Sequence, residues 1–487
     1  MPAIGNTIGH TIGTVAALSK IRIPDELVRV NRIFSKNGFK AYLVGGAVRD
    51  ICLGREGHDW DLATDARPEQ VMQLFHSVIP TGIAHGTVTI RIFGRELETT
   101  TFRAEAGYSD GRHPDSVSYA KTIEEDLSRR DFTMNAIAAD LADGSIVDPY
   151  GGREDIRARI IRTVGSPLER FSEDGLRPVR AIRFAAQLGF TIEENTLRAL
   201  SDPAVLKKTA GISVERFRDE WCKALLTDQP SRALRLLEAS GILQIFIPEF
   251  TPCRNCTQAD ARGFHEFDVA DHIFYAVDGS RTPDFPHDEL AVTLAAFYHD
   301  IGKPEARTCE HVQGNEIIHF HGHEGISEQK ARTSMTRLKF PKDTITKVCH
   351  LVKEHMFHYE ENWSDAAVRR FIIRIGRENL DDLIALRLSD TYGQHNRPLL
   401  IGSPAFKLLI ELQDRIQQVQ EAAAALSLKD LAVTGNDLIA AGIPAGKAMG
   451  AILRELFETV TDSPEMNTKE KLLPLAGAIY KKLFQLP

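Results

Sequence analysis

The hydrophobic pattern changes character near residue 165 of the 487-residue chain. Before that point, short apolar runs alternate with turn residues, and the runs at 41–44, 86–93 and 96–102 predict strands. Residues 68–76 predict a helix between the first two strands. From Pro167 onward the hydrophobic positions recur with the period of amphipathic helices. The pattern predicts an α+β protein: an α/β head followed by an all-helical neck, body and tail.

Breaks in the helical pattern suggest how the chain is divided. Helices are predicted at 188–200, 213–226, 231–240, 290–299 and 366–375, with breaks near 248–262, 279–286 and 402–404. We therefore expect an N-terminal extension over 1–23 and a head over 24–165. A helical neck and body over 166–260, a histidine-rich module over 261–397 and a helical tail over 398–487 would follow.

Composition narrows the class of protein. The chain is 43% hydrophobic and 26% charged, with a formal net charge of −8, which argues against a nucleic-acid-binding coat over the whole surface. A local basic cleft remains compatible with that charge. No apolar run reaches the roughly 20 residues that a membrane helix needs. With six scattered cysteines, we expect a cytoplasmic protein with reduced thiols and no membrane partner.

A glycine pair and two aspartates stand out in the head. Gly45 and Gly46 follow a predicted strand and would let the backbone approach a phosphate group closely, and a helix can begin near Arg49. Asp59 and Asp61 would point to one face of an extended segment. Two carboxylates so placed can hold Mg²⁺ for phosphoryl or nucleotidyl transfer. The other interpretation is a strand, turn and helix whose glycines serve packing and whose aspartates are solvated.

Several separated motifs occur in the order found in one known family. They are residues 43–50 with Asp59-Trp60-Asp61, residues 129–136 (RRDFTMNA) and residues 173–184 (EDGLRPVRAIRF). Further matching stretches lie at 112–115, 124–127 and 148–152. On these motifs, roughly the first half of the chain resembles the bacterial-type (class II) tRNA nucleotidyltransferase and poly(A) polymerase family.

The resemblance gives roles to the residues of the head. Gly45, Gly46 and Arg49 would face the triphosphate, where an arginine supplies a fixed charge. Arg130 and Asn135 resemble the family's contacts to ribose and phosphate. Their neighbours at positions 129 and 131 are expected to be structural.

The resemblance leaves the role of Glu98 open. This residue lies on a predicted strand, two positions before Thr100. It is either a third carboxylate beside Asp59 and Asp61, which would bind the metal ions, or a strand residue on the protein surface. The sequence does not decide between the two.

Residues 173–184 are expected to select the incoming base. Asp174 can accept a hydrogen bond from the exocyclic amine of cytosine or adenine, and Arg177 can donate to the neighbouring ring nitrogen. Guanine and uracil present the opposite order of groups, which would leave both side chains unpaired. Arg180 and Arg183 would hold the base plane or the triphosphate, as in the family. Pro178 fits poorly inside a helix, so either the helix starts about there or its first turn is distorted.

The histidine-rich module carries a second set of candidate ligands. His299 and Asp300 are adjacent, with His272 before them and Asp390 far after them, and this set resembles the HD phosphohydrolase superfamily. Imidazoles and carboxylates together suit a transition metal. His323 and His355 fall where HD proteins with two metals carry further ligands. The alternative is a degenerate helical domain that serves as a spacer.

Together these features predict a tRNA nucleotidyltransferase. We expect it to add all or part of the 3′-terminal CCA from CTP and ATP with Mg²⁺, and the HD module to be a metal-dependent phosphohydrolase. The tail resembles an RNA-contacting region of some members of the family. Three alternatives remain open: a poly(A) polymerase, a specialist that adds only CC or only A, and an HD phosphohydrolase with a vestigial head.

Overall fold

The computed structural model describes residues 19–55, 57, 59–106, 116–260, 266–312, 315–422 and 427–484. The chain divides into two compact units, Met1–Thr251 and Pro252–Pro487. Most of the predicted N-terminal extension and the family motif at 112–115 lie outside the described residues. None of the described helices is both long and apolar enough to cross a membrane.

A seven-stranded sheet organises the first unit. The strands of the whole chain are β1 Ala41–Val44, β2 Asp61–Thr64, β3 Val78–Gly82, β4 Thr87–Ile92, β5 Arg95–Thr101, β6 Arg103–Ala106, β7 Ser116–Tyr119, β8 Ala138–Asp140, β9 Ile146–Val147, β10 Ile160–Ile161, β11 Thr191–Ile192, β12 Thr308–Val312 and β13 Asn315–His319. The sheet has the order β3-β4-β5-β2-β1-β8-β9, and the pairs β6/β7, β10/β11 and β12/β13 lie apart from it. The strands predicted at 41–44, 86–93 and 96–102 are therefore confirmed as β1, β4 and β5.

The strand register brings two carboxylates side by side. Strands β2 and β5 run parallel, and Leu62 lies opposite Thr99. Asp61 and Glu98, which each precede one of these paired residues, are therefore neighbours on adjacent strands. Leu62 and Thr99 are buried, whereas Asp61 and Glu98 are exposed. Because neighbouring positions of paired strands share a face, both carboxylates project from the same side of the sheet.

Helices complete the first unit around the sheet. They are Asp25–Lys36, Gly46–Cys52, Pro68–Leu74, Ile123–Ser128, Gly152–Ala158, Pro167–Glu173, Arg177–Leu188, Glu194–Leu200, Pro203–Ala210, Val214–Leu225, Pro230–Ala239 and Ile242–Phe246, with 3₁₀ turns at Ile83–His85 and Thr133–Asn135 and a third at Pro248–Cys253 at the division between the units. The helix predicted over 188–200 is confirmed over Glu194–Leu200 but was wrong over the residues before it. The preceding helix ends at Leu188, because Gly189 adopts the left-handed conformation (φ +69°), and β11 intervenes before Glu194.

Two helix starts were ambiguous in the sequence. The helix after β1 begins at Gly46, earlier than the expected position near Arg49. The helix Arg177–Leu188, which we call the arginine helix, has Pro178 in its first turn. Backbone N–H groups in the first turn have no partner within the helix, so the missing N–H of a proline costs no hydrogen bond there. The first alternative for Pro178 is thus confirmed. Asp174 lies before this helix, and its Oδ1 accepts a hydrogen bond from the Leu176 N–H at 2.9 Å.

The second unit is mostly helical. Its helices are Val269–Gly279, Glu289–Tyr298, Lys303–Ala306, His323–Arg337, Lys342–Glu354, Asp365–Ile375, Leu380–His395, Pro404–Glu421, Gly435–Ala440, Lys447–Asp462 and Lys469–Phe484, with 3₁₀ turns at Arg377–Asn379, Leu428–Asp430 and Pro464–Met466. Buried side chains between Leu431 and Ile479 form a hydrophobic core in the last part of the unit. The expectation of helices alone was wrong at the antiparallel hairpin of β12 and β13.

Buried charge holds the arginine helix in place. The Nε of Arg183 donates to Glu220 Oε2 at 2.7 Å, and both residues are nearly inaccessible to solvent. The guanidinium of Arg183 also lies 3.6 Å from the centre of the Phe184 ring. Glu220 belongs to Val214–Leu225, which we call the buttress helix because it packs against the arginine helix. Removing one partner of such a pair would leave an uncompensated buried charge.

We predict that Glu220→Ala lowers the free energy of unfolding by about 3–5 kcal/mol, the usual cost of breaking a buried ion pair. Urea denaturation followed by tryptophan fluorescence would measure the change. Glu194→Ala is the matched control, because Glu194 forms an exposed pair with Arg198 and should change stability by no more than ~1 kcal/mol. Equal effects of the two substitutions would contradict a supporting role for Glu220.

Candidate active sites

Asp59 and Asp61, which were predicted to bind metal, and Glu98, whose role was left open, line cavities at one region of the sheet. Asp61 and Glu98 both line a cavity of about 320 Å³, and Asp59 joins them in the wall of a second cavity. Burial, followed by the charge of Glu98, raises the pKa of Asp61 from 3.8 to about 6, with a smaller contribution from Asp59. Much of the Asp61 side chain is exposed, so solvent screens part of this effect. Carboxylates that repel one another in this way suit a divalent cation such as Mg²⁺.

The first cavity also contains the predicted base-reading residues. We call it the nucleotide cavity; its lining comprises Val44, Asp61, Leu62, Glu98, Thr100, Arg103, Arg129, Arg130, Asp131, Asp174, Arg177 and Arg180. Asp61 and Glu98 and the residues expected to select the base therefore face one space. Arg183, which was expected at the base or triphosphate, is absent from this lining and is bound to Glu220.

The glycine pair lies next to Arg130, a residue of the nucleotide cavity. Gly45 has a φ of +71°, and a side chain there would approach Arg130 Nη1 to 3.0 Å, so both backbone conformation and space favour glycine. Gly46 begins the helix that carries Arg49. The Nη1 of Arg49 donates to Asn135 Oδ1 at 3.0 Å.

Asn135 links two charged residues. It accepts from Arg49, and its Nδ2 donates to Asp131 Oδ1 at 3.2 Å. Asp131 in turn pairs with Arg180 at 2.7 Å. Burial would raise the pKa of Asp131, but Arg180 and Arg177 outweigh it and lower the pKa to about 2. Asp131 is thus a structural anion, as expected, that also borders the nucleotide cavity.

Asp174 and Arg177 are held by different partners rather than by each other. Asp174 Oδ2 accepts from Arg216 Nη2 at 2.8 Å. Arg177 pairs with Glu173 and donates to the backbone carbonyls of Arg170 and Arg129 at 3.0 and 3.1 Å. Both side chains are therefore fixed before a base arrives, which favours reading by preformed hydrogen bonds.

Sequence reasoning missed two residues that support this arrangement. Arg216 and Glu220 occupy one face of the buttress helix, four positions apart, and contact Asp174 and Arg183 respectively. Their spacing of four residues on an amphipathic helix was enough to place them on one face. The sequence did not indicate that this face packs against the arginine helix.

The predicted HD ligands converge in the second unit. His272 Nε2 lies 3.0 Å from His299 Nε2, 3.0 Å from Asp300 Oδ2 and 3.3 Å from Asp390 Oδ1. His299 Nε2 lies 3.2 Å from the same Asp300 oxygen. Four donors from three separate parts of the chain thus point at one spot, as a metal site requires.

A second group shares Asp300. The other carboxylate oxygen, Oδ1, lies 3.1 Å from His323 Nε2 and 3.7 Å from His355 Nε2. Within the described residues, close groups of three or more metal-type ligands occur at His272, His299 and Asp300 and at Asp300, His323 and His355. The predicted second set of ligands is therefore assembled, with Asp300 common to both groups.

Backbone hydrogen bonds orient three of these imidazoles. Nδ1 of His299, His323 and His355 lies 2.8, 2.7 and 2.7 Å from the carbonyl oxygen of Ala296, Phe320 and Val352, respectively. Because a carbonyl only accepts, each Nδ1 must carry the hydrogen, which leaves Nε2 free to bind a cation.

The charges of this centre fit a bound cation. Burial opposes ionisation of Asp300 and Asp390, yet the neighbouring histidines hold the pKa of each well below 3.8, with a further contribution from Lys303 at Asp300. Burial would lower the pKa of His299, but Asp300 and Asp390 raise it to about 10. By contrast, burial lowers the pKa of His355 to about 3. In the metal-free site, the proton on His299 balances the negative charge of Asp300 and Asp390, and a bound metal ion would balance the same charge.

Comparison with known proteins shows where the chain belongs. A family model described as the poly A polymerase head domain matches residues 41–162. Models of an RNA-binding region of such polymerases and of a second domain of tRNA nucleotidyltransferases match residues 189–254 and 317–476. A CCA-adding enzyme of Levilactobacillus brevis is 34% identical over 436 residues, covering 90% of this chain and 93% of the relative. The chain belongs to the family of CCA-adding enzymes.

Other relatives differ in the extent of their similarity. A CCA-adding enzyme of Geobacillus sp. (strain WCH70) is 50% identical over 227 residues, which is 47% of this chain and 55% of that relative, so the match spans about half of each. The crystal structure of Bacillus stearothermophilus CCA-adding enzyme in complex with CTP has a TM-score of 0.70 and 29% identity, and covers 94% of this chain and 98% of that one.

We predict that Asp61→Asn abolishes nucleotide addition but does not lower the melting temperature without metal. The folded-state pKa of Asp61 lies above its unfolded value, so ionisation destabilises the fold increasingly from about pH 4 to pH 6 and by a constant amount above pH 6. The variant should therefore melt higher than the wild-type protein, by a margin that grows over that range and then levels off. Thermal melts in EDTA at several pH values would measure it, and a lower melting temperature at pH 8 would contradict the assignment.

Proposed function

We propose that this chain adds nucleotides to the 3′ end of tRNA from CTP and ATP without a nucleic-acid template, and that it acts in the cytoplasm. The proposal rests on one observation: a single cavity is lined by the carboxylates of Asp61 and Glu98 and also by Asp174 and Arg177. Family membership supports it, because the named relatives are CCA-adding enzymes.

The reaction needs the acceptor and the triphosphate in line. The 3′ oxygen of the RNA forms a bond to the α-phosphorus, the bond to the bridging oxygen breaks, pyrophosphate leaves and the hydroxyl proton is lost to solvent. Asp59, Asp61 and Glu98 would hold Mg²⁺, which supplies charge neutralisation and activation of the hydroxyl. Gly45, Gly46 and the Arg49 guanidinium would orient the triphosphate, with Arg130 beside them.

Base choice follows from the direction of the hydrogen bonds. Asp174 offers acceptors and Arg177 offers donors, a combination that cytosine and adenine satisfy and that guanine and uracil do not. Arg216 holds one oxygen of Asp174 and the Leu176 N–H holds the other, so the carboxylate cannot rotate to suit a wrong base. Arg180 and Arg183 support the arginine helix from which Arg177 projects, and the predicted ribose contact of Asn135 is part of the same proposal.

One experiment separates this function from its rivals. Purified protein would receive tRNA transcripts ending at the discriminator base, at C or at CC, with each nucleotide alone and in mixtures. A CCA-adding enzyme completes all three, a CC-only or A-only specialist stops early, and a poly(A) polymerase extends with ATP without stopping. Absence of addition to every transcript would overturn the proposal.

We further propose that the second unit is a metal-dependent phosphohydrolase. The first metal would be held by His272, His299, Asp300 and Asp390, and a second by Asp300, His323 and His355, in each case a transition metal. The specific support is the convergence of these ligands in two groups that share one carboxylate. The rival in which the head is vestigial is disfavoured, because Asp59, Asp61 and Asp174 remain in place around the head cavities.

For base selection, we predict that Asp174→Ala or Arg177→Ala weakens discrimination against UTP and GTP and lowers the use of CTP and ATP together. Losing one hydrogen-bonding partner should cost about 1–3 kcal/mol, up to roughly a hundredfold in selectivity. Single-nucleotide incorporation into tRNA transcripts would give kcat/KM for each triphosphate. Asp219→Ala, at an exposed position of the buttress helix, is the control, and unchanged selectivity in both site variants would exclude this readout.

For the second unit, we predict that the double variant His299→Ala/Asp300→Ala loses bound transition metal and any hydrolysis of bis-p-nitrophenyl phosphate, yet keeps CTP and ATP incorporation. The ligands lie in a different compact unit from the head, which is why the two activities should separate. Elemental analysis after loading with Mn²⁺, Co²⁺ or Ni²⁺ would measure the metal. His358→Ala, an exposed histidine of the same unit, is the control. A wild-type protein that binds none of these metals would reduce the unit to a spacer.

A further inference from the structure

Two cavities meet at the catalytic carboxylates. The nucleotide cavity lies on one side, and a second cavity of about 560 Å³ lies on the other; we call it the outer cavity. Its lining is Asp59, Trp60, Asp61, Thr89, Arg95, Glu96, Leu97 and Glu98. Asp61 and Glu98 belong to both walls, so a ligand in either cavity would reach the same carboxylates.

Arg95 supplies the cationic side chain of the outer cavity. Its guanidinium lies 4.3 Å from the centre of the Trp60 ring, and the Trp60 Nε1 donates to the Gly57 carbonyl at 2.9 Å, which anchors the indole. Glu96 is bound by Arg91 at 2.7 Å. Within the part of the chain that the structure describes, Arg95 forms no ion pair with a carboxylate. An oriented guanidinium is thus available to an anion.

The chemistry of the reaction selects that anion. In-line transfer places the attacking 3′ oxygen and the leaving pyrophosphate on opposite sides of the α-phosphorus. The residues proposed to hold the triphosphate and to select the base are in or next to the wall of the nucleotide cavity. The outer cavity is therefore left for the attacking strand. A polyanionic strand entering among Asp59, Glu96 and Glu98 needs a compensating cation, and Arg95 provides one.

We propose that the outer cavity receives the 3′-terminal nucleotides of the acceptor RNA and that Arg95 binds the phosphodiester joining its last two nucleotides. Trp60 acts as a positioning residue, because its ring fixes the guanidinium. The assignment rests on the proposed nucleotidyl transfer and extends it to the acceptor side. Pyrophosphate is the competing occupant, and it would make Arg95 matter for CTP rather than for RNA.

Steady-state kinetics with an RNA minihelix and CTP test the proposal. Arg95→Ala should raise KM for the minihelix roughly tenfold to a hundredfold, the usual effect of losing a hydrogen bond to a charged group, with KM for CTP little changed. Arg95→Lys should restore part of the loss, because it keeps the charge without the fork of donors. Arg29→Ala is the control, since Arg29 also lies over an aromatic ring, that of Phe93, but lines neither cavity.

Replacing one phosphodiester of the minihelix with an uncharged linkage tests whether Arg95 binds that particular phosphate. A minihelix with a methylphosphonate between its last two nucleotides should impair the wild-type protein as much as Arg95→Ala does, and should not impair the variant further. Losses that multiply, or a rise in KM for CTP alone, would overturn the assignment. If wild-type protein adds nothing to the unmodified minihelix, the proposed function itself fails, and this outcome is distinct from a failure at Arg95.

Discussion

The first unit depends on charge compensation for the guanidinium groups that it buries. The arginine helix is flanked by protein on most sides, and burying a charge without compensation would cost several kcal/mol. Arg180 is neutralised by Asp131, and Arg183 by Glu220. The Phe184 ring adds a contact to both of them and to Arg49. This network joins the arginine helix, which carries Arg177, to the helix that begins at Gly46.

The same constraint fixes the Asp174 carboxylate, which we propose discriminates between bases. Asp174 lies outside the helix because Pro178 fits only in a first turn, so the helix itself cannot orient it. The buttress helix supplies the missing restraint through Arg216, while Glu220 on the same face holds Arg183. The orientation of Asp174 and the stability of the arginine helix therefore both depend on one helix–helix contact. A change that loosens the contact should affect both properties.

Sequence reasoning succeeded where a signal is local. Strands β1, β4 and β5 follow from their apolar runs. The convergence of His272, His299, Asp300 and Asp390 was expected from a resemblance to HD proteins and not from a local signal, and their role as metal ligands stays a prediction. Sequence reasoning failed for Arg216 and Glu220, whose partners are 42 and 37 residues away. Those pairs exist only once the two helices pack. The hairpin of β12 and β13 was missed for another reason: its strands are largely exposed and contribute little to the hydrophobic period from which it would be recognised.

The two proposed metal sites differ in how the protein treats its own carboxylates. In the head, burial and Glu98 raise the pKa of Asp61 to about 6, so the protein disfavours the charged form that a metal needs. In the second unit, histidines hold Asp300 and Asp390 ionised despite burial. A divalent cation in the head would offset the repulsion between carboxylates, whereas a metal ion at the buried centre would take the place of the proton on His299. The two proposed sites therefore differ in what a cation would relieve, namely repulsion among carboxylates in the head and the charge on a buried imidazole in the second unit.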